Sequence, residues 1–399
     1  MSLSIRTLHN FKIVFLLDSI SQPRCIKRIN SFISHGYEVE IYGIDRGKYN
    51  VNASIFEKKI NVIDKQNDGK KHLNKVINNY KAIRKILKKH ETEKAIFYSF
   101  GFLLTFSLML NGCKNYIYEI SDILYGYRKY NLLRPFFKIC DKWIVKNSLL
   151  TVLTSEGFSK FLFGKDVPNN VVIQPNKINV FLSKGSRDKI DYVLSRNKLR
   201  FAYVGAFRYP NTVFRFAKII GVHYPQHEFY FYGDSQLTNQ VISISEDYDN
   251  VKYFGHFKNP EDLNEIYNNL DVVIACYEAQ NLNERIAEPN KLYEALWFNK
   301  PIVVSENTFL AEKVKKLQCG YVIDASNDQS IVSFIESIKT CEINTIRENI
   351  SSIDVDYIID DEAVNILTKL NNTALIKEHG DKFANLPAFS VEYCTSKLN

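Results

Sequence analysis

The segment 288–294, EPNKLYE, carries a proline, a lysine and a glutamate at spacings that matter on a helix. Pro289 precedes an apolar-periodic stretch, which predicts that it takes the first helical position. The backbone N–H groups of that turn and the helix dipole can bind an anion, and Lys291 adds a positive charge. Glu294 follows one turn later, where a carboxylate can accept hydrogen bonds from a vicinal diol. These groups would grip a nucleoside diphosphate, but a capped surface helix fits the pattern equally well.

The elements that must position this segment come from an alternation of apolar strand-length runs with amphipathic helical patterns. Such alternation predicts parallel sheets with helical crossovers, and it occurs in two consecutive series. The predicted strands of the first series are 11–17, 37–42, 94–98, 115–120, 149–154 and 170–175, and its helices are 24–35, 72–90, 102–110 and 133–147. The second series has predicted strands 199–205, 227–233, 251–255, 271–277, 301–305 and 320–324, and its predicted helices are 211–222, 260–269, 288–298 and 309–317.

The chain of 399 residues is also too long for one hydrophobic core, so two domains are expected. We predict an N-terminal domain over 1–182, a polar linker over 183–198 and a C-terminal domain over 199–359. The remaining segment, 360–399, begins with a helix that we expect to pack back toward the N-terminal domain. Its tail shows no clear period.

The composition is that of a globular protein in a reducing compartment. Hydrophobic residues make up 45% and aromatic residues 13% of the chain, which argues against disorder. Seven cysteines are odd in number and form no CxxC pair or Cys/His cluster, so they indicate free thiols. The first residues lack the pattern of a signal peptide, and no apolar run is long enough to span a bilayer. A cytoplasmic location follows as the expectation.

The formal charge of +8 favours anionic partners without choosing among them. The basic helix 70–89, with seven Lys and one Arg, could lie on an anionic membrane surface together with the apolar segment 97–110. A solvated helix face is the more frequent explanation of such a charge run. Eight dispersed histidines show no ligand spacing, and the DxD at 354–356 lies away from any predicted cleft edge, so we expect no metal.

A resemblance to a known family rests on PNKLYEAL followed by NKPIVVS. This run resembles the P-x-K-x-x-E and G-K-P-V-V signature of bacterial GT-B glycosyltransferases related to family 4 (group 1), many of which build capsular polysaccharide or exopolysaccharide. The likeness continues in YVGAF, HEFYFYG and NVKYFGHF, and KIVFLLD resembles the usual opening. It implies an α/β, GT-B fold with two Rossmann-like, doubly wound parallel-sheet domains facing across a cleft. It also implies a nucleotide-sugar donor, no cofactor, and no nucleic-acid partner.

On the donor side, the resemblance implies that Glu294 binds the ribose while Lys291 and Arg208 meet the diphosphate, with Asn290 in the same turn. Gly205 would permit close backbone approach, although a plain tight turn explains it as well.

The sequence departs from the family pattern at two positions. Ile286 stands where many relatives have a second glutamate that contacts the sugar, which leaves Asn281, Glu284 and Glu288 as open candidates. Asn299 replaces a glycine, and asparagine can still end a helix in the left-handed conformation.

On the acceptor side, the resemblance makes Asp122, and with less support Glu119, a candidate for activating the acceptor hydroxyl. Both lie in YEISD, at the carboxyl end of a predicted strand. One of the two carboxylates could instead cap the following turn. Asp18 and Arg24 could touch the acceptor from the loop after the first strand, although a strand end and a surface ion pair explain them at least as well.

The implied function is transfer of a sugar from a nucleoside-diphosphate sugar to a saccharide or lipid-linked hydroxyl acceptor, with retention and without a metal. One alternative is an epimerase or hydrolase on the same fold, which would need no acceptor. Another is a catalytically degenerate binding subunit, suggested by the missing glutamate.

Overall fold

A computed structural model describes residues 11–20, 22–46, 60–65, 72–179 and 198–371. The chain divides into two compact units. The first unit is Met1–Pro175 together with Asp361–Asn399, and the second is Asn176–Asp360. The predicted linker, except Lys198, and the tail 373–399 lie outside the described residues.

The first unit contains a parallel seven-stranded sheet in the order β3-β2-β1-β4-β5-β6-β7. Its strands are β1 Lys12–Leu17, β2 Val39–Asp45, β3 Ile60–Lys65, β4 Ala95–Phe100, β5 Tyr116–Ile120, β6 Leu150–Leu153 and β7 Val171–Ile173. The strand order reverses between β1 and β4. In an open α/β sheet, ligands bind beside the carboxyl ends of the strands at such a switch point.

Six described helices belong to this unit: α1 Pro23–Ser34, α2 His72–Lys89, α3 Phe102–Leu110, α4 Arg134–Asn147, α5 Glu156–Phe163 and α15 Glu362–Asn371. Two 3-10 turns, Leu124–Gly126 and Arg128–Leu133, precede α4. The last helix, α15, is distant in sequence, yet Ala363, Ile366, Leu367 and Leu370 belong to the core around β1. Their spacing of three and four residues places them on one helix face.

The second unit contains a parallel six-stranded sheet in the order β11-β10-β9-β12-β13-β14. The strands are β9 Arg200–Val204, β10 Glu228–Tyr232, β11 Val251–Gly255, β12 Val272–Ala275, β13 Ile302–Ser305 and β14 Gly320–Ile323. A separate parallel pair joins β8 Ile178–Asn179 to β15 Ile359–Asp360. The strand order of the six-stranded sheet also reverses, between β9 and β12. The switch point of this sheet therefore lies beside Gly205.

The helices of this unit are α6 Arg215–His223, α7 Thr238–Asp247, α8 Leu263–Asn268, α9 Leu282–Ile286, α10 Asn290–Trp297, α11 Phe309–Leu317, α12 Asp328–Ser337, α13 Thr340–Ser352 and α14 Val355–Ile358. A π-helical turn, Pro210–Phe214, opens α6. Pro289 is the extended residue before α10 rather than its first helical residue, so the predicted position was off by one. The left-handed conformation predicted for Asn299 is confirmed, with φ of 54°.

Candidate functional site

Two glycines lie side by side where β9 and β10 end. Gly205 has φ of 127° and donates its N–H to the carbonyl of Tyr232 at 2.8 Å, and Gly233 has φ of 126°. A Cβ on Gly233 would come within 2.3 Å of the Gly205 carbonyl oxygen, and one on Gly205 within 2.9 Å of Lys291 Nζ. Both positive φ values and the close contacts therefore favour glycine. The result is a side-chain-free edge directly beneath the Lys291 ammonium.

Lys291, the second residue of α10, is a buried cation with aromatic neighbours. Its side chain is 7% exposed, and Nζ lies 4.7 Å from the ring centre of Tyr203 and 5.9 Å from that of Tyr277. Within the described residues the ammonium makes no hydrogen bond or ion pair. Burial lowers the pKa of Lys291 to about 8; Glu294 opposes this change, and Arg208 adds to it. The site thus holds an ammonium whose charge would be compensated by an incoming anion.

Arg208 provides a second positive charge near this lysine, since its guanidinium also lowers the pKa of Lys291. Arg208 is exposed at the loop that follows β9. Next to it, Tyr209 stacks on Tyr277 with ring centres 4.5 Å apart. The structure therefore brings Gly205, Arg208 and Lys291, all predicted from the sequence, to one edge of the sheet.

Glu294 is a buried carboxylate with three side-chain donors. Tyr267 donates its hydroxyl to Oε2 at 2.8 Å, Asn259 donates to Oε1 at 3.4 Å, and Asn290 also donates to Oε1. The side chain is 5% exposed. Asn290 therefore acts here by orienting Glu294, and Tyr267 and Asn259 are site residues that sequence reasoning missed. These donors fix the carboxylate and occupy both lone pairs of Oε1, which leaves one lone pair on Oε2 for a ligand hydroxyl.

Glu288 points toward a different group of residues. Its Oε1 accepts from Lys313 Nζ at 2.7 Å and from the Tyr293 hydroxyl, while Oε2 is buried without a hydrogen-bond partner. The side chain has no exposed surface. Glu288 thus links Tyr293 of α10 to Lys313 of α11, and this geometry supports a structural role rather than contact with a sugar.

The remaining sugar-side candidates lie on α9. Asn281 precedes that helix and donates to Glu284 Oε1 at 3.3 Å. The other oxygen of Glu284 is buried and has no hydrogen-bond partner in the described residues. The negative charge of Glu284 contributes to the raised pKa of Tyr209, after burial and the charges of other neighbours. Glu284 thus lies near the loop that carries Arg208, and it fits a sugar-side position better than Glu288 does.

In the first unit, Asp18 follows β1 and Asp122 follows β5, at the carboxyl edge of the sheet. Asp18 Oδ2 is 3.6 Å from Arg46 Nη2, and its Oδ1 is buried without a hydrogen-bond partner. Burial raises the pKa of Asp18 to about 6; Arg46 and Arg24 lower it, while Asp122 raises it further. These mutual effects show that the structure gathers Asp18, Arg24 and Asp122 in one place, with Arg46 as a neighbour not predicted.

Glu119 lies in the interior rather than at this edge. It has no exposed surface and accepts from Arg28 Nε at 3.0 Å, Arg28 Nη2 at 3.2 Å and the Tyr98 hydroxyl at 2.5 Å. An acceptor hydroxyl cannot reach a carboxylate that is buried and fully engaged. The arrangement corrects the expectation for Glu119, while Asp122, which is exposed, keeps access to solvent.

The predicted membrane segments have few suitable surfaces. Most of 97–110 is core, including β4 and the α3 residues Phe102, Leu104 and Leu108. Among the described side chains of α2, Ile77 is the one large apolar residue that is exposed. No described helix is long and apolar enough to cross a bilayer.

No group of three or more His, Cys, Asp or Glu side chains in the described part of the chain is arranged to hold a metal ion. In the DxD sequence, Asp354 accepts the N–H of Asp356 at 3.0 Å and so caps α14.

Comparisons with known proteins agree with this arrangement. Residues 187–352 match the family model described as glycosyl transferases group 1. Among solved structures, HepE of Anabaena in complex with UDP and glucose is 14% identical, with 94% of this chain and 99% of that chain covered and a TM-score of 0.63. Sucrose-phosphate synthase from Thermosynechococcus elongatus is 13% identical, with 94% and 99% covered and a TM-score of 0.66. WaaG, a glycosyltransferase involved in lipopolysaccharide biosynthesis, is 13% identical, with 89% and 99% covered and a TM-score of 0.61. A search of curated proteins found no match.

The two parallel-sheet units and their structural neighbours define the class: the chain has the GT-B fold, with two Rossmann-like domains. The segment that matches the glycosyl transferases group 1 model, 187–352, includes Gly205, Lys291 and Glu294.

Proposed function

We propose that this chain transfers a sugar from a nucleoside-diphosphate sugar to a hydroxyl acceptor. The observation that carries the proposal is the Lys291 ammonium, which is 7% exposed and lies over the side-chain-free edge at Gly205. A buried cation that makes no ion pair within the described residues is costly unless an anion completes the site. A diphosphate at this edge would pair with Lys291 and Arg208, and Glu294 Oε2 would accept a hydrogen bond from a ribose hydroxyl.

The chemistry proposed for these residues is stabilisation of a leaving group. When the bond between the sugar and the diphosphate breaks, negative charge grows on the diphosphate, and two fixed cations lower the energy of that state. Such cations can take the place of a metal ion, so we propose metal-independent transfer. Retention of the anomeric configuration and a role in bacterial polysaccharide or glycolipid assembly rest on the resemblance to family 4 relatives.

The first unit would receive the acceptor. Asp122 is exposed at the carboxyl edge of the sheet, and Asp18 is beside it with a pKa of about 6. A carboxylate in this position can accept a proton from a hydroxyl as it attacks. A cytoplasmic location is proposed as well, because the six described cysteines are all free thiols.

The test begins with nucleotide binding. UDP is the first ligand to try, because HepE has been solved with UDP and with UDP-glucose. Isothermal titration with wild type and Lys291→Met is expected to show a loss of affinity of about tenfold to a hundredfold, the value of a charged hydrogen bond. Lys218→Met removes an exposed lysine of α6 and serves as the matched control. Equal affinity of Lys291→Met and wild type would reject the diphosphate site.

Turnover then separates the remaining possibilities. Release of UDP from UDP-sugars should require a hydroxyl acceptor and should fall strongly in Asp122→Asn. Release at full rate without acceptor would instead identify a hydrolase, and altered free sugar an epimerase. Tight nucleotide binding without turnover on any sugar or acceptor tried would favour a binding subunit.

A further inference from the structure

An unusual concentration of exposed apolar side chains lies on the first unit, at α4 and the 3-10 turn before it. Six of the thirteen large hydrophobic residues that are exposed in the described chain fall within 127–143. Leu132 is 97% exposed, Phe136 62%, Ile139 68% and Trp143 51%. Exposed apolar residues are ordinary when scattered, whereas a contiguous set marks a surface that contacts something.

The spacing of Phe136, Ile139 and Trp143 places them on one face of α4. Steps of three and four residues return to the same side of an α-helix. The opposite face, with Asp141, Ile144 and Val145, is buried. The helix α4 therefore has two apolar faces. One packs on the domain, and the other faces solvent.

The contacts that anchor α4 show that the exposed stripe of Phe136, Ile139 and Trp143 is not a part of the core that failed to pack. Phe137 turns inward, stacking on Tyr125 with ring centres 5.9 Å apart and meeting Phe102 edge-on at 5.8 Å. Asp141 accepts from the hydroxyls of Tyr118 at 2.7 Å and Tyr125 at 2.8 Å. The helix is thus held rigidly by its inner side, and Phe136 beside Phe137 is presented outward.

The charged residues around the stripe indicate what kind of surface binds to it. The segment 127–147 contains six basic residues, Arg128, Lys129, Arg134, Lys138, Lys142 and Lys146, and one acidic residue, Asp141. Six minus one gives a formal charge of +5, and Asp141 is only 1% exposed. A second copy of the chain docked here would bring two strongly positive surfaces together, which costs free energy. An anionic surface with an apolar interior satisfies both the lysines and the stripe.

We propose that Phe136, Ile139 and Trp143 insert into the interface of an anionic lipid membrane while Lys142 and Lys146 contact the lipid headgroups. Tryptophan and phenylalanine on one face with lysines beside them are the features of an interfacial helix. The proposal moves the membrane contact from α2 and 97–110 to α4. It does not depend on the chemistry of the second unit.

Trp143 itself provides a direct readout, because the chain has only two tryptophans. In Trp297→Phe, emission comes from Trp143 alone. Adding vesicles of phosphatidylcholine with about one-third phosphatidylglycerol should shift this emission to shorter wavelength and protect it from acrylamide quenching. Emission and quenching that stay unchanged would overturn the proposal.

Two pairs of lysine substitutions with equal loss of charge test the location. Lys142→Gln with Lys146→Gln should weaken vesicle binding about 30-fold, since each lysine near an anionic surface contributes about 1 kcal/mol. Lys81→Gln with Lys85→Gln, an exposed pair of the same spacing on α2, should change it by less than about twofold. Equal weakening by both pairs, or equal binding to pure phosphatidylcholine, would contradict the proposed surface.

The apolar part is tested by Phe136→Ser, Ile139→Ser and Trp143→Ser together, measured by vesicle co-sedimentation after circular dichroism confirms folding. Binding should be lost. If this variant fails to fold, the lysine pairs and Trp143 emission decide the question. Wild-type protein that is dimeric in analytical ultracentrifugation, and monomeric in the triple variant, would show that the stripe is a self-association face and overturn the membrane proposal.

Discussion

Lys291 shows how a residue type becomes a site only through its surroundings. A lysine on a helix is common, but this one is nearly buried among Tyr203 and Tyr277, and a glycine lies where a side chain would block it. Burial disfavours the charged form and moves the pKa to about 8, from an ordinary value of 10.5. The proton is retained at neutral pH, so the ammonium is charged and able to pair with the proposed diphosphate.

We predict that UDP affinity depends on pH through this lysine. The ammonium is fully charged below its pKa and loses its proton as the pH rises above about 8, so the dissociation constant should be flat between about pH 7 and 8. It should then rise by about tenfold per pH unit up to about pH 10. Titration calorimetry across this range measures the profile.

Two substitutions at the same position serve as controls for that profile. Lys291→Met should bind weakly with no slope from this group, and Lys291→Arg should stay flat because guanidinium keeps its charge. A slope above pH 8 that persists unchanged in Lys291→Met would assign the titration to the nucleotide or to another residue.

At the residue scale, the sequence indicated Lys291 and Glu294 as candidates but not the residues that orient Glu294. Tyr267 and Asn259 are 27 and 35 positions from Glu294 and reach it only because α8 and the loop before it pack beside α10. Pairing across such distances depends on the packing of helices, which no local pattern reveals. For the same reason Glu119 and Asp122, three positions apart, could not be separated into an interior residue and an edge residue.

At the scale of elements, the site depends on where β9 ends and α10 begins. The strand end supplies Gly205 and the second helical residue supplies Lys291, and the 2.9 Å between a Gly205 Cβ and Lys291 Nζ shows how closely the two meet. A strand end and a helix start together therefore set the position of the cation.

We predict that Gly205→Ala displaces the Lys291 ammonium. The substitution should cost about 1–2 kcal/mol of folding free energy because φ is positive, and it should weaken UDP binding on the order of tenfold because the cation moves. Gly112→Ala is the matched control, since Gly112 has φ of 79° and open space around its Cβ position. Gly112→Ala should show the stability loss without the binding loss; unchanged UDP affinity in Gly205→Ala would refute the displacement.

The elements themselves were largely predictable, and the exceptions have physical reasons. Apolar periodicity predicted the strands of both sheets except β3, whose sequence INVIDK lies half-exposed at the sheet edge and so lacks a continuous apolar run. The helix α11 was predicted with its observed bounds, Phe309–Leu317, because Thr308 caps it by accepting the N–H of Ala311. The short pair β8 and β15 has two residues per strand and no sequence signal.

At the scale of the whole molecule, the chain returns at its end to the unit in which it began. Besides its apolar face, α15 contributes the fully buried Glu362. Its Oε2 lies 2.9 Å from Arg28 Nη1, and its Oε1 lies 2.8 Å from Lys27 Nζ. Arg28 also holds Glu119 in a bidentate pair. Two carboxylates and two cations from α1, β5 and α15 thus neutralise one another inside the first unit.

We predict that Arg28→Met destabilises the first unit by about 3–5 kcal/mol, because it leaves Glu119 and Glu362 buried without their shared cation. Lys160→Met, which breaks an exposed pair with Glu156 on α5, should cost at most about 1 kcal/mol. Two units need not unfold in one step, so each requires its own probe. In variants that keep a single tryptophan, the emission of Trp143 reports unfolding of the first unit and the emission of Trp297 reports unfolding of the second. In urea unfolding, Arg28→Met should shift the Trp143 transition to a lower urea concentration. A larger shift of the Trp297 transition would show that the ion pairs of Arg28 do not secure α15 to the first unit. A Trp143 shift no greater than that of Lys160→Met would show the same.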